Sequence, residues 1–424
     1  MKRLLFIAHR MPYPPDKGER VRAFHELQAL SRHFRITLAA LAHGDPDAGA
    51  AEELRACCEK IVTGRAGGRL GLLRGAFALC AGRSVTEGFF RDRGLLRTLL
   101  EEARRQPFDL VFAYSSSTLP YALAVPATAR VMDLVDVDSV KWSAYADSAW
   151  WPKRWLYWRE ARTVAALERQ AVKQCDAVLL VSEAEKRALG FSSPKVIALG
   201  NGVDIEYFNP VDRPAGPPSL AFTGTMDYRP NVDGVCWFVR EVWPRLRQIV
   251  PELTFTIVGR DPTRAVRQLE QVAGVRVTGA VPDVRPYIAA ATAAIAPLPM
   301  ARGIQNKILE AMAMGKAIVG SPAAIEGLDV VIGKDLLQAD SPDEWVRLVR
   351  TLLADGDLRQ GLQRSARVCV ESKYSWSARM APLVSLCESL TAAAPPQAAE
   401  RRARPACRSA PRIPAAESLE GGAQ

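Results

Sequence analysis

The feature of this sequence that most narrows its fold is a rhythm in which short apolar runs alternate with longer stretches of helical spacing. In the first half the runs are Arg3–Ala8, Ile36–Leu41, Asp109–Tyr114, Arg130–Val135, Ala177–Val181 and Val196–Leu199, with helix-like stretches at Val21–Ser31, Gly94–Arg105 and Arg154–Gln174. The second half continues with Leu220–Thr223, Leu253–Val258, Val275–Thr278, Ala293–Ala296 and Ala317–Val319. Parallel strands need a crossover helix to return the chain, so the alternation predicts βαβ units and an α/β fold. The stretch Asn209–Pro218 carries four prolines in ten residues. Proline resists helix and central strand alike, so the chain is predicted to divide there into domains 1–212 and 213–390. Beyond about Leu390 the composition turns to Ala, Pro, Arg and Ser with little aliphatic bulk, which predicts a disordered tail over 391–424.

At 424 residues, 48% hydrophobic and 24% charged, the chain has material for two ordinary cores. Its net charge of +10 is modest for the length. It fits an anionic substrate or a surface resting on anionic lipid, and no nucleic-acid partner is expected. The eight cysteines are scattered with no C-x-x-C pair, which reads as free thiols in a reducing compartment. All four histidines (His9, His25, His33 and His43) fall in the first 43 residues, which argues against a His-rich zinc site. The apolar run Leu4–Ala8 is short and broken by His9-Arg10, so it reads as a buried strand rather than a signal sequence. No run approaches the roughly 18 apolar residues of a spanning helix. The expectation is a soluble or peripheral cytoplasmic protein.

Three stretches carry candidate chemistry. The loop His9-Arg-Met-Pro-Tyr-Pro-Pro-Asp-Lys17-Gly18 follows the first strand and precedes a helix, at the sheet edge where α/β proteins bind ligands. Gly18 would let backbone N–H groups approach an anionic or hydroxylated ligand, although a plain βα turn has the same pattern. The second stretch, Asn201-Gly-Val-Asp204…Phe208-Asn-Pro210, is by itself a tight turn entering the linker. The third runs from Arg302-Gly303 through Asn306-Lys307-Ile-Leu-Glu310 to Gly315. Lys307 and Glu310, three apart, share a helix face near its N-terminus. The cation and the helix dipole suit phosphates, and the carboxylate suits ribose hydroxyls. An intrahelical pair on a solvated face is the other explanation.

Together these stretches resemble the GT-B glycosyltransferases of family 4, the glycosyl transferases group 1, and most of all the sugar transferases associated with exosortase/PEP-CTERM exopolysaccharide systems. Also similar are Val181-Ser182-Glu183 and Thr223-Gly224…Asn231, and the likeness covers roughly residues 1–390. It implies two Rossmann-like, doubly wound parallel-sheet domains facing a cleft: an acceptor-binding domain, then a nucleotide-sugar-binding domain whose last helix can pack back on the first. The implied activity is hexosyl transfer from a nucleotide-sugar to a saccharide or lipid-linked saccharide, with retention and without a metal or other cofactor. The chain departs from the family at Arg302, where a first glutamate is common, and at Thr225 and Asn231, where basic residues are usual. Arg229, Arg302 and Lys307 are left to hold the diphosphate.

On this resemblance Lys307, Arg229 and Asp136 are the catalytic candidates. Glu310, Arg302, Gly303, Asn306, Gly224 and Asn231 would bind the donor, and Gly18, Lys17 and His9 would lie on the acceptor side. Asp136 would orient the acceptor hydroxyl with Asp133 or Asp138 in support; capping of the next helix is the alternative. His9 is either a cleft residue or a hydrogen-bonded structural histidine. From Ile61 to Thr86 no acidic residue occurs, while Arg65, Arg69, Arg74 and Arg83 alternate with leucines and Phe77. That segment reads as a helix on an anionic bilayer or as a buried helix with a basic outer face. Trp151, Trp155 and Trp158 share a helical face for which core packing is the ordinary reading, and an interfacial anchor the other. A sugar-nucleotide epimerase of the same architecture and a non-catalytic sugar-nucleotide-binding partner remain as alternative functions.

Overall fold

The computed structural model describes residues 1–15, 18–42, 48–211, 216–301 and 304–392. Two parallel sheets dominate it. The first contains β1 (Lys2–Ala8), β2 (Phe34–Ala42), β3 (Lys60–Arg65), β4 (Phe108–Tyr114), β5 (Ala127–Val135), β6 (Ala177–Leu180) and β7 (Val196–Ala198), in the order β3-β2-β1-β4-β5-β6-β7. The second contains β8 (Ser219–Thr223), β9 (Thr254–Val258), β10 (Val275–Val277), β11 (Ala293–Ala296), β12 (Ala317–Gly320) and β13 (Leu337–Gln338), in the order β10-β9-β8-β11-β12-β13. Both are doubly wound, with order reversing beside β1 and beside β8, and ligands bind at the carboxyl edge of such switch points.

Side-chain alternation explains the layering. Leu4, Phe6 and Ala8 of β1 enter one core, and Leu5 and Ile7 enter the core on the opposite face. A strand that is covered on both sides reads as a continuous apolar run, which is why β1, β2 and β4 are legible in the sequence. Strand β3 was missed because only one of its residues is fully buried. Strand β13 has two residues and no run to detect.

The chain passes between the domains ahead of the proline-rich stretch. Val203, Ile205 and Phe208 already belong to the second core. Each residue of Asn201-Gly-Val-Asp204 has a mechanical role there. Asn201 Oδ1 accepts a bond from Arg22 Nη1 at 3.0 Å. Val203 N donates to Tyr374 O at 2.7 Å, tying the outgoing chain to the returning one. Asp204 Oδ1 accepts from the backbone N–H of Glu206 and Tyr207 at 3.1 and 2.9 Å. A Cβ on Gly202 would lie 2.7 Å from Trp376 Cα, so only glycine lets the two chain segments cross this closely.

The helix Trp376–Ala392 then returns to the first domain, where Trp376, Met380, Leu383 and Cys387 join its core. His25 stacks on Trp376 with ring centroids 4.3 Å apart, and burial lowers its pKa to about 4. The predicted tail falls, from residue 393 onward, outside the described residues. Among the described residues every cysteine is a free thiol, and no helix is long and apolar enough to cross a membrane.

Candidate active site

The second sheet assembles a compact group at the carboxyl end of β8. Gly224 follows that strand, and its carbonyl oxygen lies 1.7 Å from where a Cβ on Gly259 would stand. The loops after β8 and β9 therefore meet backbone to backbone, which requires glycine at 259. A Cβ on Gly224 would in turn lie 2.7 Å from Asn231 Nδ2 and 3.3 Å from Lys307 Nζ. Asn231 is buried in the helix Arg229–Glu241. Its Nδ2 donates to Thr225 O at 2.8 Å and its Oδ1 accepts from Lys307 Nζ, so its amide orientation is set by both partners.

Lys307 and Glu310 lie on the helix Asn306–Ala313, which is fixed by the burial of Ile308, Leu309, Ala311, Met312 and Ala313. Lys307 Nζ also stands 4.5 Å from the centroid of the Phe222 ring. Both charged residues are half-buried, which disposes of the solvated-face explanation for the pair. Burial lowers the Lys307 pKa to about 8, against the opposing pull of Glu310. Burial raises Glu310 to about 7, against the opposing pull of Lys307. Each partner moderates the other's shift, and their titrations belong to the pair. The result is a preorganised cation beside a glycine loop, with a carboxyl one turn further along the helix.

The remaining donor-side residues divide. Gly224, Asn231, Lys307 and Glu310 come together. Asn306 is exposed at the first position of its helix. Arg229 does not join the group, because its side chain is 88% exposed and pairs with Asp233 at 3.4 Å. Arg302 and Gly303 lie outside the described residues. Asn231 occupies a position where the resemblance calls for a basic residue, yet it receives the ammonium of Lys307 from another helix. An ammonium thus stands beside position 231 although residue 231 is not itself basic.

At the first sheet's carboxyl edge, His9 stacks on Tyr114 with centroids 5.8 Å apart and meets Phe90 edge-on at 5.6 Å. Gly18 opens the helix Gly18–Ser31, and Lys17 lies outside the described residues. After β5 the chain turns sharply. Val135 has φ 68°, a genuine outlier for a β-branched residue, and its N–H is held by Asp133 Oδ1 at 2.7 Å. This turn presents Asp136 as an exposed residue. Its pKa is raised by partial desolvation of the carboxyl, then by Glu185 and Asp138. Asp138 accepts from Ser116 Oγ at 3.0 Å, and Glu185 accepts from Val137 N at 2.7 Å.

Asp133 is not a support for Asp136. It is fully buried and bonded to Arg22 Nε at 2.7 Å. Arg22, to which the sequence reading gave no role, also pairs with buried Glu26 at 3.0 Å and donates to Leu199 O at 2.8 Å. Burial, and next the charge of Asp133, pushes Glu26 well above the carboxylate range. The available signal was an Arg and a Glu at i and i+4 beside the apolar positions Ala23, Leu27 and Leu30.

Residues 217–355 match the family model described as Glycosyl transferases group 1. Comparison with curated proteins gives no significant match. Among solved structures, sucrose-phosphate synthase from Thermosynechococcus elongatus superposes with TM-score 0.62 at 16% identity, over 93% of this chain and 100% of that one. Anabaena Alr3699/HepE, solved with UDP, gives 0.58 at 15% identity over 92% and 100%. WaaG, a glycosyltransferase involved in lipopolysaccharide biosynthesis, gives 0.56 at 15% identity over 92% and 99%. The chain therefore has the two-domain GT-B fold of glycosyltransferases, and its second domain carries the match to the glycosyl transferases group 1.

Proposed function

We propose that the protein is a glycosyltransferase that moves a hexosyl group from a nucleotide-sugar to a saccharide or lipid-linked saccharide acceptor, with retention, in the cytoplasm and in exopolysaccharide assembly. The observation that carries this reading is the Gly224–Asn231–Lys307–Glu310 group, set at a switch point inside the segment that matches the family. As a glycosidic bond to a nucleoside diphosphate breaks, negative charge grows on the leaving phosphate. A fixed ammonium and the N-terminal end of the helix Asn306–Ala313 stabilise that charge without reorganising, and no metal is required for the step. Glu310 accepts hydrogen bonds from ribose hydroxyls, and Asp136 orients the acceptor hydroxyl across the interdomain space.

The test is a calorimetric titration of the full chain with UDP, GDP, ADP and their hexose conjugates, with and without a chelator. Binding of one nucleotide that is indifferent to the chelator supports the reading; binding of none sinks it. The pH profile is a second prediction. The Lys307 charge is present below about pH 8 and lost above it, whereas the Glu310 carboxylate forms above about pH 7. Affinity should therefore be greatest between those values and fall on both sides. In Glu310→Gln the acidic limb should disappear, and the alkaline limb should move to lower pH because the pull of Glu310 on Lys307 is gone. A flat profile in the wild type would remove this pair from the binding site.

A further inference from the structure

The helix Gly68–Cys80 is packed inside out. Its small residues Gly71, Gly75 and Ala78 face the protein and are buried. A Cβ on Gly71 would stand 3.2 Å from the Phe89 ring, and one on Gly75 would stand 3.1 Å from Val85 Cγ1. The inner face therefore has no room for bulk, and the bulk lies outside: Leu70, Leu72, Leu73 and Phe77 are 64 to 67% exposed. Leu70, Leu73 and Phe77, at i, i+3 and i+7, form one continuous apolar stripe. The readings of this segment as a buried helix with a basic outer face, and of Trp151, Trp155 and Trp158 as packed in the core, are both overturned. The tryptophans Trp150, Trp151, Trp155 and Trp158 are 47 to 76% exposed.

These two features form one surface. Arg159, on the helix Lys153–Gln174, donates from Nη2 to Leu79 O and Arg83 O at 2.9 and 3.0 Å, closing the end of the first helix. Glu160 beside it accepts from Ser84 Oγ, Val85 N and Thr86 N at 2.6 to 2.8 Å. Trp155, one turn before Arg159, lies on the same helical face. The charges are of one sign. Arg65, Arg69, Lys153, Arg154 and Arg162 are exposed, and no acidic residue occurs in 61–86 or 149–159.

We infer that this face of the first domain docks on an anionic lipid bilayer. The apolar stripe and the indole rings enter the interfacial region, and the surrounding cations meet lipid phosphates. Charge decides between this occupant and a second copy of the chain. Two such faces set against each other would oppose cation to cation, whereas an anionic bilayer complements them. The surface lies one layer from the carboxyl edge of the first sheet, because Phe90, just past the short helix Val85–Phe89, is in contact with His9. The bilayer would thus run beside the edge assigned to the acceptor. The inference does not rest on the donor-site reading, and its test needs no turnover.

The full chain is sedimented with vesicles of phosphatidylcholine alone and with vesicles containing about one-third phosphatidylglycerol. Binding should be at least about ten-fold tighter to the anionic vesicles and should weaken with salt. The double variant Leu73→Glu/Phe77→Glu should lose about ten-fold or more of that binding, with an unchanged thermal midpoint because both side chains are exposed. Trp151→Ala/Trp155→Ala provides an independent check on the second half of the surface. Equal binding to both vesicle types, or variants that bind like the wild type, overturn the proposal. So does a concentration-dependent dimer that the same glutamates abolish in the absence of vesicle binding.

Discussion

Arg22→Met is expected to destabilise the protein by about 3–5 kcal/mol, the usual effect of removing one member of a buried ion pair. Among the described residues Arg22 is the one cation paired with Asp133 and Glu26, and all three side chains are at most 1% exposed. Methionine matches the length of the stem but leaves the Asp133 carboxyl in a dry interior with its partner gone. The penalty falls on two buried carboxyl groups that no longer have a cation beside them. Urea denaturation monitored by circular dichroism measures it, and Arg22→Met/Asp133→Asn should recover part of the loss. A single-variant change under about 1 kcal/mol would show that the cluster contributes little. The same guanidinium holds Leu199 O and Asn201. Hydrogen exchange at the interdomain crossing should therefore rise in the variant before the second domain is affected.

Lys307→Met is the second substitution with a large expected effect, on function rather than folding. The thioether side chain still covers Phe222, but the ammonium that stands beside Gly224 is gone. A hydrogen bond to a charged group contributes roughly 1.5–3 kcal/mol, so affinity for the nucleotide should fall about ten- to hundred-fold. If the cation stabilises the leaving phosphate more than the bound donor, turnover should fall further, by about 10²–10³. Release of nucleotide from the donor in water provides a rate even before the acceptor is identified. The stability of the empty protein should change little, because burial already opposes the lysine's charge there. Unchanged affinity would exclude Lys307 from the donor site.

The two outcomes also separate what was legible in the sequence from what was not. Strands such as β1 and β4 were legible because burial on both faces demands uninterrupted apolar residues. The Lys307-x-x-Glu310 pairing was legible because helical geometry fixes which residues share a face. The proline-rich stretch marked a division, but the crossing itself lies earlier, where Gly202 passes within contact of Trp376.

Local pattern determined the α/β class, the alternation of strands and helices, and the helix that bears Lys307 and Glu310. It did not determine which distant groups meet. The bond from Lys307 to Asn231 spans 76 positions, and that from Arg22 to Asp133 spans 111. Nor did it determine which side of a short apolar helix faces water. Gly71 and Gly75 turned inward because their partners, Phe89 and Val85, left space only for small residues, and Ala78 packs in the same way against Gly88. Periodicity reveals that a helix has two faces; only the packed neighbours decide which of them is covered.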